Sequence, residues 1–133
     1  MGSIEGESTQ GARPPTILVV EDEPMLCELL QQWLEHEGYR VFSANSGRAA
    51  VETAQAEHPD LITLDLTLPD MTGDDVLAAI RGQPALAKVP VVVLSGQEPL
   101  PRPEGQVVGA LLKPFNVNEL GSIITRALGR PAT

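Results

Sequence analysis

Short aliphatic runs in this chain alternate with longer stretches of helical period. The runs fall at residues 17–20, 40–44, 61–64, 91–94 and 110–112, and most are apolar on consecutive positions, as in Ile17, Leu18, Val19 and Val20. A strand that is apolar on successive residues is covered on both faces, and helical crossovers between such strands favour a parallel sheet with right-handed connections. Between the runs, residues 24–37, 46–57 and 73–81 have helical period, and a last helix runs from 116 to about 128. In the first helix Pro24 suits the opening position, and Gly38 supplies the stop. Leu26, Leu29, Leu30, Trp33 and Leu34 recur at spacings of three and four and predict its buried stripe, with Trp33 in the core. Thr72 with Asp75, and Asn116 with Glu119, have the spacing of capping boxes. The pattern predicts a three-layer α/β sandwich.

One stretch breaks the rhythm. After Leu94 come Pro99, Pro101 and Pro103, two apart, and proline removes a backbone donor and clashes with the preceding helical turn. An extended, polyproline-like connection is expected there, with at most one helical turn near 106–108, before a strand at 110–112. At the other end, residues 1–15 are Gly, Ser, Glu, Thr and Pro with almost nothing to bury, which predicts a disordered leader. The folded domain is expected over 16–129, followed by a tail at 130–133 behind the stop signals Gly129 and Pro131.

A chain of 133 residues with 42% apolar and 20% charged residues suits one globular domain. Nine basic against eighteen acidic residues give a net charge of −9, the wrong sign for neutralising phosphates, so no nucleic-acid contact is expected through this domain. Apolar runs of four or five residues fall far short of the roughly 20 that span a bilayer, which predicts no membrane insertion. Cys27 is the one cysteine, so neither an intrachain disulfide nor a cysteine zinc site is available. The opening residues show no basic region followed by an apolar stretch, and a reducing, cytoplasmic location is the expectation.

The chemistry lies at the carboxyl end of each apolar run. The run at 17–20 leads into Glu21, Asp22 and Glu23, that at 61–64 into Asp65, that at 91–94 into Ser95, and that at 110–112 into Lys113. In an open parallel sheet these ends share one edge, and ligands bind there where the strand order reverses. Carboxylates gathered without other ligands suit a hard divalent cation, and magnesium takes one or two carboxylates, water and a phosphate oxygen. A carboxylate can also accept a phosphoryl group, while a metal, an ammonium and a hydroxyl stabilise the transferring oxygens. Asp65 is the natural nucleophile, since Glu21 and Asp22 are sequence neighbours better placed to grip a metal; Lys113 and Ser95 would touch the phosphoryl oxygens. Taken singly, the acidic trio could be helix-dipole partners and Asp65 a turn residue. It is their shared edge that argues for function. His36 and His58, at helix ends beside acidic residues, read as solvated charge-balancing groups, and Cys27 as a small packed residue.

These motifs resemble the receiver domain of two-component response regulators, along residues 16 to 128. The stretch Val19, Val20, Glu21, Asp22, Glu23, Pro24 is similar to that family's acidic pocket, and residues 65–73, with Pro69 and Gly73, to its phosphoacceptor strand end and loop. Ser95-Gly96 matches its hydroxyl and small pair, and Lys113-Pro114-Phe115 its lysine motif, whose Lys–Pro bond is typically cis. The resemblance implies a flavodoxin-like sheet of order 2-1-3-4-5. It also implies that the Thr67 carbonyl joins Asp22 and Asp65 on magnesium (Mg2+), with Glu21 acting largely through water. The implied activity is transfer of a phosphoryl group from a histidine kinase or histidine phosphotransfer protein onto Asp65, switching a contact with a downstream protein. Such a domain is a switch rather than a metabolic enzyme, catalysing at most its own phosphorylation and dephosphorylation.

Two features depart from the family. Ala110 stands where a Tyr or Phe is usual, and the segment from Ser95 to Lys113 is short, with prolines where the fourth helix belongs, so that helix is expected to be shortened or replaced by a loop. The family commonly signals through that face, and the alternative is a receiver-like docking or dimerisation module signalling largely independently of phosphorylation. A phosphatase passing through an aspartyl phosphate would typically carry a second Asp two residues after the nucleophile, where this chain has Thr67.

Overall fold

The structure, a computed structural model, describes residues 13–129; the expectations for residues 1–12 and for the tail at 130–133 lie outside it. The chain runs β1 (Thr16–Val20), α1 (Pro24–His36), β2 (Arg40–Ala44), α2 (Gly47–Glu57), β3 (Leu61–Asp65), α3 (Gly73–Arg81), β4 (Val91–Ser95), β5 (Val107–Leu112) and α4 (Val117–Leu128). The strands form one parallel sheet in the order β2-β1-β3-β4-β5. This is the flavodoxin-like order 2-1-3-4-5, with its reversal between β1 and β3.

The three central strands are buried along their whole length, as their solid apolar runs require. Successive side chains point to opposite faces. Ile17, Val19, Leu61, Val92 and Leu94 therefore meet Leu30 and Leu34 of α1 and Leu120 and Ile124 of α4. On the other face Leu18, Val20, Ile62, Leu64 and Val93 meet Ala50 and Ala54 of α2 and Val76 and Ile80 of α3. The chain also enters the sheet through Pro15, whose carbonyl accepts from Arg40 N at 3.0 Å.

Three local expectations need correction. The stripe of α1 is narrower than the periodicity indicates: Leu30 and Leu34 are buried, Trp33 is half-buried against Gly121 of α4, and Leu29 is 56% exposed. The row Leu26, Leu30, Leu34 faces the sheet; in the neighbouring row Trp33 packs on Gly121 of α4, whereas Leu29 stays exposed in an open groove with Val117 at the start of α4. Next, β5 begins at Val107 rather than at Ala110, and the turn expected at 106–108 lies at Gly105 and Gln106. The buried Gln106 amide donates to the carbonyls of Leu86 and Val89, both at 2.9 Å, and pins the chain beside β4 three residues early. Finally, Thr72 and Asp75 close a reciprocal capping box, whereas Asn116 accepts from Asn118 N at 2.7 Å and leaves Glu119 out.

The proline stretch behaves as read: no helix lies between Ser95 and Val107, so the β4–β5 crossover is a loop. Among the described residues no helix is long and apolar enough to cross a membrane.

Candidate functional site

Strand register sets the site. Val20 pairs with Leu64, Asp65 with Leu94, and Ser95 with Leu112, so β1, β3, β4 and β5 end level along one edge. Glu21, Asp22 and Lys113, next in the chain after β1 and β5, are thereby delivered beside Asp65 at the reversal of strand order. One carboxylate oxygen from each of Glu21, Asp22 and Asp65 lies within 4.8 Å of the others. Glu21 and Asp65 are buried, and Asp22 faces solvent.

Lys113 Nζ stands 2.8 Å from Glu21 Oε1 and 3.5 Å from Asp65 Oδ2. The other Asp65 oxygen, Oδ1, accepts from Thr67 N at 3.0 Å, and Glu21 Oε2 accepts from Glu23 N at 3.2 Å. Burial pushes the Glu21 carboxyl above its ordinary pKa; the hydrogen bond from Lys113 works against that, and the Asp65 charge adds to it. Burial alone would depress Lys113, but the hydrogen bond to Glu21 and the charges of Glu21 and Asp65 outweigh it, and the ammonium is held above its usual value. Among the described residues Lys113 is the cation paired with this cluster of three carboxylates, and it reaches Glu21 and Asp65. An all-oxygen donor set, partly buried and under-neutralised, fits a hard divalent cation.

The sequence reading places Glu21, Asp22, Asp65, Thr67, Ser95 and Lys113 on one edge, and the structure does so too, with two differences of detail. Lys113 bridges Glu21 and Asp65. Ser95, at its strand end and buried, turns its hydroxyl back on its own loop, accepting from Gln97 N at 3.1 Å and donating to Gln97 O at 3.0 Å. One residue escaped the sequence reading. Asp70, in the loop after Asp65, accepts from Gly47 N at 2.7 Å and Arg48 N at 3.0 Å at the start of α2. A bond spanning more than twenty residues between a loop and a helix end leaves no local pattern to find. Beside the site, the exposed Leu29 joins Leu26, Pro114 and Phe115 in an apolar groove that reaches Glu23 and Lys113. Lys113–Pro114 is cis, as the family resemblance implies.

The sheet order, with an acidic cluster at its switch point, puts the protein among the flavodoxin-like α/β domains. More narrowly, the chain belongs to the response regulator receiver domain family, whose profile matches residues 17–125. It is a signalling domain of the two-component type, not a metabolic enzyme. It is 36% identical over 118 residues to the transcriptional regulatory protein KdpE of Mycobacterium tuberculosis, covering 86% of this chain and 51% of that protein. Among solved structures it resembles the chemotaxis protein CheY4 of Vibrio cholerae, with a TM-score of 0.78, 30% identity, and coverage of 86% of this chain and 99% of that one. The receiver domain of the sensor histidine kinase PA1611 from Pseudomonas aeruginosa, described with a magnesium ion coordinated in its active-site cleft, matches with a TM-score of 0.79 and 31% identity over 87% of this chain and 98% of that one. The chain spans about half the length of the curated transcriptional regulators that it matches first.

Proposed function

We propose that Asp65 accepts a phosphoryl group from the phosphohistidine of a histidine kinase or histidine phosphotransfer protein. One observation carries this reading: Asp65 is buried with one oxygen fixed by Thr67 N and the other facing Lys113, beside two further carboxylates. That arrangement aims a carboxylate while leaving an ammonium to receive the charge of the incoming group. A carboxylate oxygen of Asp65 forms a bond to phosphorus as the phosphorus–nitrogen bond breaks, and the imidazole departs as the neutral base after taking up a proton.

Glu21, Asp22, Asp65 and the Thr67 carbonyl are the groups that would hold magnesium, Glu21 largely through water. The ion supplies charge neutralisation for both the carboxylate cluster and the phosphoryl oxygens. Lys113 and Ser95 bind those oxygens, Ser95 by exchanging its bonds with the Gln97 backbone for one to phosphate. The apolar groove at Leu29 and Phe115 suits the donor protein, because it exposes Leu29, with Phe115 half-buried beside it, and reaches Lys113 of the site. The reading includes a cytoplasmic location, self-catalysed loss of the phosphoryl group, and a downstream protein contact that changes with phosphorylation. In proteins as long as the matched regulators, DNA would be bound by another domain.

The test is intact mass after incubation with acetyl phosphate. Wild-type protein with magnesium should gain one phosphoryl group, and Asp65→Asn, or wild type without magnesium, should gain none. Labelling that survives in Asp65→Asn would sink the assignment. No labelling of folded, magnesium-bound wild type would turn the reading toward a docking module.

A further inference from the structure

We infer that Asp70 is a positioning residue for this site: its carboxylate ties the tip of the β3–α3 loop to the start of α2 and so sets the place of the Thr67 backbone. The inference rests on the proposed role of the Thr67 carbonyl in holding magnesium.

The first amides of a helix have no partner within it. In α2, Ala49 N is capped locally by Ser46 Oγ at 3.1 Å, and Ala50 N makes the first intrahelical bond, to Ser46 O at 2.9 Å. The two amides left over, Gly47 N and Arg48 N, go to Asp70 Oδ1 and Oδ2 at 2.7 and 3.0 Å. A carboxylate can accept both bonds at once and carries the charge that a helix N-terminus favours. Bonds from the Gly47 amide and then the Arg48 amide hold the Asp70 carboxyl below the usual carboxylate range, so it stays ionised at neutral pH.

The next residue docks at the same place. A Cβ on Gly47 would stand 2.6 Å from Met71 Sδ and 2.8 Å from Met71 Cβ, so the helix opens on glycine to admit Met71. Nearer Asp65 the loop is held by its own backbone, Leu66 N to Leu94 O at 3.2 Å, Gly73 N to Leu66 O at 3.1 Å, and a bridge between Thr67 and Thr72. Leu68 and Met71 pack against the core, and Thr67 N donates to Asp65 Oδ1 at 3.0 Å. Asp70 adds a polar tie from the tip to a neighbouring element, with both carboxylate oxygens engaged. Without it the tip keeps only that packing and its own backbone bonds, and the strip carrying Thr67 loosens while the carboxylates after β1 and at the end of β3 stay where they are.

Loop positioning and simple helix capping make different predictions, and three variants separate them. Magnesium affinity is read from amide chemical shifts of the unphosphorylated protein, and loop order from amide exchange at residues 67–72 without metal. Asp70→Ala should weaken magnesium binding roughly tenfold, the scale on which outer-shell partners act on a metal site, and should speed loop exchange. Asp70→Asn, with one acceptor left, should fall between it and wild type. Ser46→Ala removes a cap from the same helix end without touching the loop, and should lower the melting temperature while leaving both readouts at wild-type values.

Wild-type affinity and exchange in Asp70→Ala would overturn the inference, as would equal effects from Ser46→Ala. Should Asp70→Ala fail to fold, Asp70→Asn decides by the same criterion. Failure of the wild type itself to bind magnesium would instead overturn the functional reading, a result distinct from wild-type binding that Asp70 does not influence.

Discussion

Glu21 shows at the scale of a single residue what the site costs. It is 1% exposed, sits beside Asp65, and shares Lys113 with it. Because its folded pKa lies above the ordinary 4.5, ionised Glu21 opposes folding. The native state holds more protons in the window just above 4.5, so this residue's effect on stability worsens as pH rises through it. Glu21→Gln should therefore flatten the pH dependence of the metal-free protein: its stability relative to wild type should rise as pH climbs from 4.5 toward neutrality, because glutamine has no charge to desolvate. Urea denaturation at several pH values checks it: the difference from wild type should be constant below pH 4.5, where the carboxyl is protonated in both states. Lys113 has the opposite sense, since a raised lysine stabilises below its unfolded pKa of about 10.5 and loses that contribution only as pH climbs through its folded value. Asp65, Glu21, Asp22 and Lys113 were legible because each lies at the end of an apolar run. The turned-back hydroxyl of Ser95 and the long-range bonds of Asp70 were not, since both depend on backbone geometry that residue type does not encode.

Elements were legible to the extent that burial is periodic. The solid runs of β1, β3 and β4 demand two covering layers, and prolines 99, 101 and 103 exclude a helix from the β4–β5 crossover. The early start of β5 was hidden because it hangs on the Gln106 amide reaching two carbonyls of the α3–β4 connection. The exposure of Leu29 was hidden because it depends on where α4 comes to rest. Gly73 makes a prediction at this scale: a Cβ there would stand 2.8 Å from Leu66 Cα and closer still to the Leu66 side chain. Gly73→Ala should cost about 1–3 kcal/mol through overpacking at the root of the loop after Asp65. Gly96→Ala, with nothing within 4 Å of its Cβ, is the control and should be near neutral in the same denaturation series.

Over the whole molecule the net charge of −9 and the acidic edge act together. A ligand that binds only the folded state stabilises it by mass action. Magnesium should raise the melting temperature, sodium at matched ionic strength should not, and Asp65→Asn should blunt the magnesium shift; differential scanning fluorimetry reads all three. The same charge makes retention on DNA at low salt unexpected for this domain. Fold class could be anticipated from the alternating runs, whereas strand order came only with the family resemblance that the four strand-end motifs carry, since the runs do not encode which strands are neighbours. The central claim is that Asp65 alone receives phosphoryl, and the most direct measurement locates that group. Protein treated with acetyl phosphate and magnesium is reduced with borohydride, which converts an aspartyl phosphate to homoserine, and its peptides are mapped by mass. Homoserine at residue 65 and nowhere else is the expected result. Homoserine at another carboxylate, or an unaltered Asp65 in protein that has gained a phosphoryl group, would contradict the account.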